Sequence, residues 1–292
     1  MQHTDNYHDR LSAYYQHARA NGYAIPAFNF NDMWQLLAIQ RAAQQEKAPV
    51  LAAATGSVIK AIGMGITAAM GRWGMEDQPG FFLHLDHSKK VEECQAAVDA
   101  GFASVMIDGS ALPLEENIAM TRAVVAYAHP RGVFVEGELG RLGGREEDVS
   151  GGAALVQIED VQRYVNETGV DSLAVAIGNA HGFYKAAPVL DFKRLEEVGQ
   201  VVSIPLVLHG GTGIPEDQLR QAIRLGMNKV NVGTLLHHAY LQGLRTALNE
   251  APDSYDVKAA FGQAIQPVIA VVCQSIHRVG ANGRLEGLLA LP

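Results

Sequence analysis

From Tyr23 onward, short apolar runs alternate with longer amphipathic stretches. The runs are AIPAFN (24–29), PVLAAA (49–54), FFLHLDH (81–87), SVMID (104–108), FVEGEL (134–139), SLAVAIG (172–178), PLVLHGG (205–211) and KVNVGT (229–234). Strands apolar on both faces are what a parallel sheet covered on both sides requires. The stretches between them carry helical spacing. Val91, Cys94 and Val98 share a face that stops at Gly101, and Val161, Tyr164 and Val165 share one that stops at Gly169. Ser110 reads as the N-cap of a helix aligning Leu114, Ile118 and Val125. Pro215 suits the first turn of a helix carrying Leu219, Ala222 and Ile223 and stopped by Gly226. Eight such alternations predict a (β/α)8 barrel with right-handed crossovers, and a doubly wound open sheet is the competing arrangement. Residues 1–292 fit one barrel domain, since such barrels commonly need about 250 residues.

Two connections are long. Residues 140–158 are rich in glycine and acids, and a loop of that length is usually functional or mobile. Residues 55–80 read as one helix and a surface connection, while 235–249 and 256–279 read as helices completing the outer layer. The formal net charge of −8 argues against nucleic acid or an anionic membrane as partner. No stretch approaches the ~20 uninterrupted apolar residues of a membrane span, and the start MQHTDNYHDR lacks the blocks of a secretory signal. Cys94 and Cys273 lie far apart, which points neither to a disulfide framework nor to a cysteine metal site. A cytoplasmic enzyme is the expectation.

Active sites of such barrels lie at the C-terminal ends of the strands, and the polar residues collect there. Asp86 and His87 end the third run, Asp108 the fourth, and Glu136 and Glu138 lie in the fifth. His181 follows the sixth, His209 ends the seventh, and Asn231 and Thr234 end the eighth. Any one polar residue at a barrel rim is ordinary, but convergence from five or more strands is not. His87, His181 and His209 are three nitrogen donors that would suit a zinc ion with one position left open. His84 lies three residues from His87, so simple alternation sends the two to opposite faces. HGGTG (209–213) before a helix, with NVGT (231–234) on the next strand, suits a phosphate held by backbone N–H groups.

With IPAFNFND, LHLDH, ASVMIDGSALPLEEN, VEGELGRLGG, TGVDSLAVAIGNAHG, PLVLHGGTGIP and KVNVGT in this order over 23–234, the sequence resembles the class II (zinc-dependent) fructose- and tagatose-bisphosphate aldolases. The resemblance implies zinc on His87, His181 and His209, with Asp108 and Glu138 matching acids of a second or vacated metal position. It implies Asp86 as the residue that removes a hydroxyl proton. Glu146, with Glu147 beside it, matches the acid that protonates the substrate carbon. Gly182, Gly210, Gly211, Thr212, Asn231 and Thr234 match the cradle of a dihydroxyacetone-phosphate group, with a monovalent cation (Na+ or K+) near it. Asn29 and Ser57 match contacts to the far end of the substrate, and Arg284 an arginine reaching a neighbouring subunit's second phosphate. Reversible retro-aldol cleavage of a ketose phosphate by a homodimer or homotetramer is what this implies. NVGT and Ser88 depart from the family's usual residues, which leaves the metal residues intact and bears on aldehyde choice. No strand-end lysine matches a Schiff-base route, since Lys229 begins a run and falls at the opposite end. A barrel hydrolase would favour an H-x-H pair where this chain has H-x-x-H, and a non-catalytic sugar-phosphate-binding subunit would lack the histidines or the aspartate.

Overall fold

Eight parallel strands close on one another in the computed structural model, which describes residues 6–140, 143–146, 149–151, 156–182 and 188–291, with backbone alone at 143–146, 149–151 and 181. The strands in chain order are β1 (Ile25–Asn29), β2 (Val50–Thr55), β3 (Phe81–Ser88), β4 (Ser104–Ile107), β5 (Phe134–Leu139), β6 (Gly143–Glu146), β7 (Val149–Gly151), β8 (Ser172–Val175), β9 (Ala180–His181), β10 (Leu206–Leu208) and β11 (Met227–Val232). The barrel runs β1-β2-β3-β4-β5-β8-β10-β11 and back to β1, all pairs parallel. Each expected strand is present, and the open sheet is excluded.

The outer core lies between strands and helices, where the apolar faces read from the sequence are buried: Cys94 and Val98, Ile118 and Val125, Val161 and Tyr164, Leu219 and Ile223. Gly101 and Gly169 end their helices in the left-handed conformation, which costs a residue without a β-carbon little. Inside the barrel, Met106, Ala174 and Val207 form a small separate apolar cluster.

Three local expectations are corrected, and one helix is added. The helix after β4 is Leu114–Ala128 and follows Pro113, whose fixed φ suits a helix entry, while Ser110 instead donates its hydroxyl to Asp108 (2.6 Å). Pro215 stands one residue before its helix, Glu216–Arg224. Residues 55–80 hold two helices, Gly56–Ile62 and Met64–Asp77, broken at Gly63 with φ 89°. Before Tyr23 lies an unexpected helix, Tyr7–Ala20, capped by Asn6 and burying Leu11, Tyr14, Tyr15 and Ala18. Tyr14 meets Phe82 edge-on and Tyr15 meets Phe134, so this helix closes the end of the barrel where the strands begin.

Val257–Val279 is long and apolar enough to cross a membrane by length and composition. It breaks at Ile265 into Val257–Ala264 and Gln266–Val279, and the second helix buries Val268, Val272 and Ile276 while packing on Met33–Gln45. The 140–158 connection carries β6, which pairs antiparallel with β7 and parallel with β9. Gly144 is thereby in register with His181, and the connection is stitched to the segment after β8.

Candidate active site

The strand ends bring together Asp86, His87, Asp108, Glu136, Glu138, His209 and Asn231, all buried. His87 is there against strand alternation. Its φ is 53°, and the β3–β4 register shifts between Leu85 and Ser88. This irregularity turns the His87 ring inward, so His84 and His87 both face the barrel interior, contrary to the alternation argument. A non-glycine residue in that backbone region costs of order 1–3 kcal/mol, and the surrounding packing has to hold it there.

His87 Nε2 lies 2.9 Å from His209 Nδ1, and the rings meet edge-on. His87 Nδ1 lies 3.3 Å from Asp108 Oδ2 and 3.7 Å from Glu138 Oε2. His209 Nε2 lies 3.0 Å from Glu136 Oε1, which as a carboxylate accepts, so Nε2 carries the proton and Nδ1 keeps its lone pair. The backbone oxygen of His209 accepts from Asn179 Nδ2 at 2.9 Å. Asp86 is gripped from two strands: Asn29 donates to Oδ2 (2.8 Å) and Asn231 to Oδ1 (3.1 Å).

Beneath this layer lies Lys229, which the sequence reading placed at the wrong end of its strand. β11 starts at Met227, two residues earlier than expected, and the Lys229 side chain is fully buried in the barrel. Its Nζ donates to Glu136 Oε2 (2.6 Å) and lies 3.0 Å from His84 Nε2. A chain of contacts thus runs from Lys229 through Glu136 to His209 and His87.

The charges explain the protonation pattern. Burial disfavours a charged His87, but Asp86, Asp108 and Glu138 outweigh it and raise the imidazole to about 10. Burial and the positive neighbour His87 push His209 down to about 4. Burial raises Glu136, yet Lys229 and His209 bring it down to about 2. Asp86 is held well below the carboxylate range because His87 and His84 overcome its burial. Glu138 goes the other way, lifted by burial and by Asp108. Four buried carboxyl groups thus face one buried ammonium among the described residues. Glu138 Oε2 is buried without a hydrogen-bond partner, an arrangement that a cation would complete.

Around the rim, Gly182 (φ 88°) and Gly210 (φ 68°) adopt backbone that favours glycine. A β-carbon at 210 would collide with the Ala180 carbonyl oxygen, and one at 211 would come within 2.8 Å of the Asn231 carbonyl oxygen. Gly210→Ala is expected to lower stability by at least the ~1–3 kcal/mol of a strained left-handed residue, read as a lowered denaturant midpoint. Thr212 is buried, and Thr234 opens the helix Thr234–Glu250, whose first N–H groups lack intrahelical partners. A β-carbon at Gly233 would lie 2.8 Å from Asn29 Oδ1, so a larger residue there would have to displace the Asn29 side chain. Ser57 shares a 2.7 Å hydrogen bond with Thr55 and lines a cavity of about 700 Å³ beside His87, with Lys60, Lys89, Lys90 and Glu93.

His181 is placed by backbone in β9, directly before Gly182. Glu146 ends β6, and Glu147 lies outside the described residues. Arg284 is not brought to the site within this chain. It stacks over Tyr23 at the opposite end of the barrel, 5.1 Å from the ring centre. Sequence reasoning missed Lys229 as a site-facing group and gave Asn29 no link to Asp86.

The family model described as "Fructose-bisphosphate aldolase class-II" matches residues 9–284. The chain belongs to the class II fructose-bisphosphate aldolase family. Within this aldolase family it is 42% identical over 273 residues to a 6-phospho-5-dehydro-2-deoxy-D-gluconate aldolase of Bacillus licheniformis, covering 92% of this chain and 94% of that protein. It is 41% identical over 267 residues to a fructose-bisphosphate aldolase of Geobacillus stearothermophilus, covering 90% and 93%. Its fold matches the crystal structure of the YdjI aldolase from Escherichia coli K12 with a TM-score of 0.82 at 30% identity, covering 94% of this chain and 98% of that one. Family membership makes this chain a lyase of the aldolase type, built on the barrel described above.

Proposed function

We propose that this chain is a zinc-dependent aldolase that cleaves a ketose phosphate bearing a second anionic group, releasing dihydroxyacetone phosphate and an acidic aldehyde. The observation that carries it is the pair of imidazole nitrogens, His87 Nε2 and His209 Nδ1, meeting beside Asp86 at the strand ends. His87 and His209, with His181 by family likeness, would hold the ion. The donor set fits: Glu136 fixes the proton of His209 on the nitrogen that faces away, and Glu138 Oε2 is a buried carboxyl oxygen nearby that lacks a hydrogen-bond partner and that a cation would favour in its ionised form. Zinc supplies a Lewis acid for the ketose carbonyl and hydroxyl oxygens.

The chain's own groups do the rest. Asp86, kept ionised, takes the proton from the hydroxyl on the carbon beyond the bond that breaks. Asn29 and Asn231 hold its carboxylate so that it meets that proton without reorganising. Gly182, Gly210, Gly211, Thr212 and Thr234 receive the phosphate of the retained half through backbone and hydroxyl donors. Glu146, on the hairpin paired with β9, returns a proton to the carbon. At the far end, Ser57 and the lysines at 60, 89 and 90 suit an anionic tail. Both relative names fit this tail: a phosphate in fructose bisphosphate, a carboxylate in the phosphorylated deoxy sugar acid. Cleavage between the carbons α and β to the ketone gives dihydroxyacetone phosphate from either.

A coupled assay for dihydroxyacetone phosphate, run on both substrates, tests this. Chelation is expected to abolish cleavage and added zinc to restore it. Full activity in chelator, with a lysine trapped by borohydride, would overturn the metal route.

A further inference from the structure

A second cluster of metal-binding side chains lies at the other end of the barrel, where β5 and β8 begin. His8 comes from the helix Tyr7–Ala20, His129 from the short turn His129–Arg131, and Asp171 directly precedes β8. The three ligand atoms lie within 4.8 Å of one another. His8 Nε2 is 3.0 Å from Asp171 Oδ1, and His129 Nε2 is 3.0 Å from Asp171 Oδ2. The two rings sit edge-on with centroids 4.8 Å apart. The other nitrogen of His8, Nδ1, lies 3.0 Å from Asp9 Oδ1, and the Val135 N–H donates to Asp171 Oδ2 at 2.7 Å.

Proton bookkeeping singles this cluster out. A neutral imidazole has one N–H and one lone pair, yet His8 has a carboxylate oxygen at each nitrogen. If Asp9 takes the Nδ1 proton, the Nε2 lone pair points at Asp171 Oδ1, and two electron-rich atoms face each other. Either a second proton on His8 or a metal ion between them resolves the conflict, and the neighbouring His129 nitrogen makes the cluster a ligand set for the metal. A carboxylate on the outer nitrogen of a ligating histidine is the usual support of a protein metal ligand. Two imidazoles with one carboxylate suit zinc rather than magnesium or calcium, which prefer oxygen. The side chains of His8 and His129 are 29% and 32% exposed, so an ion can enter from solvent and bring water as the fourth ligand.

The geometry points to a structural zinc site formed by His8, His129 and Asp171, with Asp9 orienting His8, that clamps the N-terminal helix to the floor of the barrel. It is separate from the centre at the strand ends. Its occupancy ties three segments distant in sequence, near residues 8, 129 and 171.

The test loads the metal-free full chain with Zn²⁺ alone, removes loose metal by gel filtration and counts zinc per chain. The wild type is expected to hold about two equivalents, and His129→Ala and His209→Ala about one each. His129→Ala should keep the wild-type aldolase rate. Zinc should still raise the melting temperature of His209→Ala, and should not do so in the double variant. A His129→Ala chain with wild-type zinc content, or a His209→Ala chain whose melting ignores zinc, overturns the site. If His129→Ala does not fold, anomalous diffraction at the zinc edge from wild-type crystals decides, and no peak beside Asp171 overturns it. Failure of the metal at the strand ends would show separately, as His209→Ala retaining the wild-type zinc content.

Discussion

Asp86→Ala should slow cleavage by about 10²–10⁴-fold, the usual loss when a positioned general base is removed, while zinc content stays at the wild-type level. Asp86 is separated from bulk water, and its two oxygens are each held by an asparagine from another strand. A water molecule in its place would lack both the charge and the fixed direction. Because Asp86 supplies no strand-to-strand backbone contact through its side chain, the fold should survive. Steady-state rates on the cleaved ketose phosphate, paired with metal analysis of the same sample, check this. Turnover within a few-fold of wild type would remove Asp86 from the proton transfer.

Lys229→Met has the larger expected effect on stability. It strips the partner from Glu136 in the barrel interior, and breaking a buried ion pair from one side costs about 3–5 kcal/mol. Combining it with Glu136→Gln should recover most of that loss, because the pair is then replaced by neutral groups and the new side-chain amide still offers an oxygen to His209 Nε2. Denaturant unfolding of the two single variants and the double checks the sign of the coupling, and simple additivity would refute the pair as described. The pH dependence follows the same logic. Glu136 is lowered in the folded chain to about 2, so its stabilisation is complete above its ordinary 4.5 and lost as pH falls through 2. Glu136→Gln should therefore flatten part of the acid limb of the unfolding curve.

The barrel was legible because each strand is apolar on both faces, and the helices announce themselves by spacing and by glycine stops. The strand-end polar residues were legible because a barrel has one functional end. Lys229 was not, since a charged residue near the start of an apolar run reads as the end of a loop. Only its burial against Glu136 and His84 shows that the run begins at Met227. The inward turn of His87 was hidden for another reason: positive φ at a histidine leaves no compositional mark, as it would at glycine. The helix Tyr7–Ala20 does carry a readable stripe of Leu11, Tyr14, Tyr15 and Ala18. Its tyrosines blur the contrast between apolar and polar positions on which such stripes are recognised. Asn29 lay in the family pattern, but its grip on Asp86 and its close approach to Gly233 are relations across strands that no local motif spells out.

The backbone at His87 has a bearing on how this protein can change. Glycine would occupy that conformation with less strain than any side chain, but it would leave Asp86, Asp108 and Glu138 buried without the cation they face. Removing one partner from buried charges costs about 3–5 kcal/mol, more than the ~1–3 kcal/mol of a strained backbone. Laboratory evolution under heat without substrate should therefore keep the imidazole, because the acids around it outbid the backbone.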